Sequence, residues 1–158
     1  MNITVNVRGL DELIDQLDAY SNSLEQKANE ICRRLAQYGL VLADASFNGA
    51  AYDGVKDVSV TVEPMDNGYR IIANGETVLI LEFGAGVTYG YGHPNPGPYG
   101  PGTYPNAKGH WNDPKGWYLP KAKGGGHTYG NPPSMTMYNT YRDIQREVER
   151  VAREVLSA

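Results

Sequence analysis

Cysteine is almost missing from this chain: Cys32 stands alone among 158 residues. A single thiol builds no disulfide framework and no Cys-x-x-Cys metal knuckle. Its place within an apolar helical pattern reads as a core thiol in a reducing compartment. Long hydrophobic runs are missing too, since none approaches the roughly 20 residues needed to span a bilayer. The segment Met1 to Leu10 lacks the basic start and unbroken apolar stretch of a secretion signal. The reading is a protein made in the cytoplasm with no membrane partner. An excess of positive charge is also absent. The formal net charge is −4, which argues against a free-standing duplex DNA binder, whose basic face replaces counterions along the phosphates.

Clustered catalytic chemistry is lacking as well. His93, His110 and His127 stand seventeen residues apart in a Gly and Pro background, with no His-x-x-x-His pair to hold two imidazoles on one helical face around a metal. Cys32 has no evident base to make it a thiolate nucleophile. Nothing in the sequence fixes the separation of Glu82 and Asp113 as paired acids. Neither Gly84-Ala85-Gly86 nor Gly124-Gly125-Gly126 leads into the Gly-Lys-Ser/Thr helix start of a phosphate-binding loop, so both read as turns or close backbone contacts. No catalytic, cofactor-binding or metal-binding residue is assigned, and the chain reads as a non-enzyme.

What the chain does have is a segment from Gly84 to Pro133 holding 13 of its 19 glycines, nine of its ten prolines, both tryptophans and all three histidines. A structureless stretch of that length is uncommon inside a domain unless it is functional, a linker or disordered. Disordered segments are poor in aromatics, whereas this one contains Tyr89, Tyr91, Tyr99, Tyr104, Trp111, Trp117, Tyr118 and Tyr129. It therefore reads as an ordered arm inserted in a single domain, 1–158. Lys108, Lys115, Lys121 and Lys123 against Asp113 give the arm +3, leaving −7 for the rest. Tyr and Trp with Gly are the residues of protein interfaces, which gain contact area for few lost rotamers. The alternative is a carbohydrate-binding module in which Trp111, Trp117 and Tyr118 stack on sugar rings.

On either side of the arm the periodicities are regular. Ile3, Val5 and Val7 alternate with polar residues as in a strand with one buried face. From Leu10 the apolar positions advance by threes and fours through Leu13, Ile14, Leu17, Leu24, Ala28, Ile31, Leu35, Tyr38 and Leu42. Ser21-Asn22-Ser23 interrupts that stripe, and Ser23 with Gln26 has capping-box spacing, predicting a short helix followed by a long one. The long helix should end near Asn48 and Gly49. Lys56 to Glu63 and Tyr69 to Ala73 read as a hairpin turning at Asp66-Asn67-Gly68. Val78 to Leu81 is a strand or a short buried helix, which periodicity cannot separate. Ser134 is a plausible N-cap for a last helix with Met137, Tyr141, Ile144, Val148, Val151 and Val155 on its inner face and interleaved Arg and Glu outside. The expected fold is α+β: a small antiparallel sheet packed on a long N-terminal helix and a C-terminal helix.

Three motifs in this order carry a resemblance. Gly9-Leu10-Asp11-Glu12-Leu13 opens the first helix; Val78 to Gly86 is similar to a hydrophobic-Glu-Phe-Gly-Thr-Gly signature; Gly130-Asn131-Pro132-Pro133-Ser134-Met135 leads into the last helix. Together they resemble the neck proteins of long-tailed bacteriophages, variously called head-to-tail joining or tail completion proteins. Ala85 stands where threonine is common, and Met135-Thr136-Met137 replaces the usual entrance to the last helix. The resemblance implies a structural virion protein that forms a homo-oligomeric ring, of six copies, between the head connector or head-closure protein and the tail tube or its terminator. Glu82, Phe83, Gly84 and Gly86 would then form the base of the arm. Tyr99, Tyr104, Trp111, Trp117 and Tyr118 would be its contacts, and Lys108, Lys115, Lys121 and Lys123 candidates for facing the DNA channel. A partly buried Glu82 would require an Arg or backbone amides as partner.

Overall fold

The computed structural model describes residues 10–50, 56–86, 93–95, 113–119, 121 and 124–157. The expected strand at Ile3 to Val7 lies outside them, as do Tyr99, Tyr104, Lys108, Trp111 and Lys123. The described elements are α1 (Leu10–Gly49), β1 (Ser59–Met65), β2 (Gly68–Asn74), α2 (Val78–Phe83), β3 (Trp117–Tyr118), β4 (His127–Thr128) and α3 (Thr136–Ser157). This is the α+β arrangement that the periodicities predicted.

The first helix is not divided. It runs unbroken for 40 residues, about 60 Å at 1.5 Å per residue. Ser21, Asn22 and Ser23 are all exposed. Extending a helix through three such residues costs a few tenths of a kcal/mol each, less than ending one helix and nucleating another. Asp11 and Glu12 occupy the first turn, where the dipole favours acids.

The inner face of α1 differs in detail from the large-residue stripe. Ala36, Gly39, Ala43 and Phe47 are buried, while Ile31, Leu35, Tyr38 and Leu42 are half-buried at its sides. Small residues at the centre let other backbones approach. A Cβ added to Gly39 would lie 2.5 Å from both Ile144 Cδ1 of α3 and Ile71 Cδ1 of β2. Gly39 is thus where the hairpin and α3 converge on α1.

α3 runs antiparallel to α1. Ser46 bonds Thr136 at one end (3.0 Å), and Lys27 Nζ reaches the Leu156 carbonyl at the other (3.4 Å). Val151 and Val155 are buried, but Tyr141 and Val148 of the predicted inner stripe are exposed. The outer face carries Arg146–Asp143, Arg150–Glu147, Arg150–Glu154 and Arg153–Glu149 pairs, the solvated ladder expected from the interleaved charges. Because α3 has 22 residues against the 40 of α1, α1 continues beyond Lys27 for more than four turns past the end of its partner.

The hairpin pairs Ser59 with Asn74 through to Met65 with Gly68, antiparallel and in register. Its base is tied by Asp57, whose carboxylate accepts the Thr77 N–H (2.9 Å) and the Thr77 hydroxyl. The hydroxyl bond, opposed in part by burial and aided by backbone N–H groups, holds the Asp57 carboxyl below its usual range. The ambiguous apolar run resolves as α2, six residues with Leu81, Glu82 and Phe83 buried.

Candidate functional site

The root of the arm is a joint between the end of α2 and the start of α3. Gly84 ends α2 at φ 75°, a conformation glycine adopts without a Cβ penalty. A Cβ there would lie 2.7 Å from the Pro133 nitrogen. Ala85 and Asn131 then exchange two backbone hydrogen bonds of 2.9 and 3.0 Å in an antiparallel bridge. Ser134 donates to the Leu81 carbonyl from both its backbone N–H (2.7 Å) and its hydroxyl (2.8 Å). The two ends of the 84–133 insertion are therefore clasped together.

Glu82 lies at the centre of this joint, 5 % exposed. Its Oε2 accepts the Met137 N–H (2.7 Å), and its Oε1 accepts the Tyr138 N–H (2.9 Å) and a bond from His93 Nε2 (3.0 Å). A carboxylate from α2 thereby satisfies two of the orphan amides of α3 and sits on the positive end of its dipole. Backbone amides were one of the partners that a buried Glu82 requires. Ser134, the residue with N-cap chemistry, is not the cap. Its hydroxyl is spent on Leu81, and Met135 stands before the helix at φ 54°, bonded to the Glu82 carbonyl and to the Asn139 N–H.

The hydroxyls beside the joint form a directed relay. The Leu81 carbonyl can only accept, so the Ser134 hydroxyl donates to it. Thr136 then donates to Ser134 (3.1 Å), and Ser46 donates to Thr136 (3.0 Å). Thr136 is fully buried, and the relay couples α1, α3 and α2 through it. Sequence reading missed Thr136; a Thr in the first turn gives no signal that its hydroxyl will face inward.

His93, a described residue of the arm, is packed against the body. Its Nδ1 accepts the Asn95 N–H (3.1 Å), so the ring proton resides on Nε2 and is donated to Glu82. The ring lies 4.5 Å from Phe83 and 5.5 Å from Tyr138. His93 is buried in this aromatic setting. Beside it, β2, α2 and α3 border an open, largely apolar groove of about 560 Å³ that includes Ile72, Leu79, Phe83 and Tyr141.

Further along, Trp117 and Tyr118 pair with Thr128 and His127 in a short ribbon. Trp117 is buried; a Cβ on Gly86 would come within 3.0 Å of its ring. Trp117 and Gly86 therefore pack together within the chain. Tyr118 is 78 % exposed, with its ring edge-on to His127, which in turn meets Tyr129. Lys115 and Lys121 are exposed on this part of the arm. Among the described residues no three His, Cys, Asp or Glu side chains gather as a metal-ion cluster, and no helix is long and apolar enough to cross a membrane.

Comparison with protein-family models, with curated proteins and with solved structures finds no match to this chain.

Proposed function

We propose that this protein is a structural virion component of a tailed bacteriophage, forming a ring at the head-tail interface and joining or completing the tail. The observation behind this reading is the joint itself. The Glu82-Phe83-Gly84 and Asn131-Pro132-Pro133-Ser134 motifs, far apart in sequence, build one hydrogen-bonded unit, which is what a motif pair selected for architecture would do. Glu82 has both carboxylate oxygens engaged by Met137, Tyr138 and His93, a supporting role. An arm clasped at its root can reach a neighbouring subunit without loosening the body, and heterologous contacts of that kind close into rings. Head connector and tail tube proteins would be the neighbours on either side, with the arm lysines toward the DNA.

The test is electron microscopy of particles made when the gene is disrupted in the genome that carries it. Full heads accumulating beside detached tails are the expected result; complete, infectious particles would overturn the reading. A carbohydrate-binding role has one observation in its favour, the exposed Tyr118 beside His127 and Tyr129. Complete particles that fail to adsorb would point there.

A further inference from the structure

We infer that the overhanging half of α1 is a self-association seam, occupied by the same segment of a second copy of this chain. Leu13 is 50 % exposed, Ile14 47 %, Leu17 58 %, Tyr20 64 % and Leu24 43 %. Single exposed apolar residues are ordinary, but a contiguous stripe of five along one helix marks an interaction surface. With Leu17 at heptad position a, Leu24 is also a, Leu13 and Tyr20 are d, and Leu10 falls at the preceding a. The pattern is interrupted at Lys27, a d position, where the Lys27 ammonium meets the end of α3 at the Leu156 carbonyl. The two heptads from Leu10 to Leu24, with every a and d position apolar or aromatic, thus lie along the stretch that α3 does not reach.

The charges identify the occupant. Between Leu10 and Gln26 there are five carboxylates and no Lys or Arg. All five lie away from the seam, Asp11, Asp18 and Glu25 at b, Glu12 at c and Asp15 at f. The positions that flank a coiled-coil seam and choose its partner, e and g, hold Ile14, Gln16, Ser21 and Ser23. A second copy meets no charge of its own sign there, and a basic helix would find no acid to pair with. Two heptads are short for an isolated coiled coil. Here the helix is already formed, because its other half is packed against α3 and the hairpin, so association carries no nucleation cost. A like-to-like seam of this kind pairs two copies and is distinct from the heterologous contacts of the proposed ring, so the inference rests on the exposed stripe and holds for any function.

Sedimentation velocity of the full chain over a dilution series tests it. The wild type should self-associate reversibly. Leu17→Asp should raise the dissociation constant at least about tenfold with unchanged circular dichroism, and Asp15→Asn, at an outward f position, should leave it unaltered. In a parallel pair the two Leu17 side chains share a layer, so Leu17→Cys in a Cys32→Ser background should oxidise to a covalent dimer if the helices run parallel, while in an antiparallel pair Leu17 faces Tyr20 and the joint variant Leu17→Cys with Tyr20→Cys should do so. A wild type that stays monomeric throughout, or association that Leu17→Asp does not weaken, overturns the inference. The second result would place the contact elsewhere and leave the neck reading intact, since that reading fails only on the particles.

Discussion

In the half of α1 that packs, the buried positions are Ala36, Gly39, Ala43 and Phe47; in the half that overhangs, the apolar positions are Leu13, Leu17, Tyr20 and Leu24, and all of these are exposed. Both halves are one helix with one period, yet their side-chain sizes differ. Small residues are used where two elements must approach the helix axis at once, as Ile144 and Ile71 do at Gly39. Large residues, Ile31, Leu35, Tyr38 and Leu42, stand half-buried beside them, whereas in the overhang large residues make up the whole exposed stripe. A small residue at the centre of the stripe, as at Gly39, therefore marks where other elements close on the helix, while the stripe from Leu13 to Leu24 stays exposed.

Substitutions at the packed end should be costly and those at the overhang nearly silent for folding, which gives an ordered set of ways to break the comparison. The largest effect should come from Glu82→Ala. It leaves the Met137 and Tyr138 amides and His93 without their acceptor in a buried setting, a loss of about 3–5 kcal/mol, read by urea denaturation. Phe83→Ala should fall in a similar range, about 3–4 kcal/mol for a buried aromatic, and an unchanged melting temperature would remove Phe83 from the core. Gly39→Ala tests the small-residue argument itself. Overpacking against Ile144 and Ile71 costs about 1–3 kcal/mol, while the gain in helix propensity is about 1 kcal/mol. The net should be destabilising, and a more stable variant would show that α3 and the hairpin do not close on α1 as described.

Asp57→Asn should cost about 1 kcal/mol at neutral pH through weakened bonds to Thr77. The folded Asp57 carboxyl titrates below the unfolded one, so its contribution is complete above the unfolded value, near 4, and is lost as pH falls through the folded value. Wild type and variant should therefore converge in stability on acidification; curves that stay parallel would remove the Asp57 tie. Smallest of all, Leu17→Asp should shift the unfolding free energy by less than about 0.5 kcal/mol at dilutions where the protein is monomeric. A large shift there would mean that the overhang is part of the folded core.

Much of this was legible beforehand because it depends on local spacing. The end of α1 near Asn48, the hairpin turning at Gly68 and the outer ladder of α3 follow from residue periods and turn chemistry. The apolar run Val78 to Leu81 was not decidable, since four consecutive apolar residues, none of them exposed, show no period. His93 was not legible as a buried partner of Glu82, because a histidine between a glycine and a proline in the arm carries no periodic signal.

The sequence by itself determined where chain segments become helix or strand and which faces are apolar, because those properties are set within a few residues. Tertiary structure alone decided which apolar faces are covered and which group caps α3. Ser134 has the better local capping chemistry, but Glu82, more than fifty residues from Met137 and Tyr138, supplies a full charge that must find donors once α2 is buried. The demand of a desolvated carboxylate for hydrogen bonds exceeds the preference of a hydroxyl for the nearest amide.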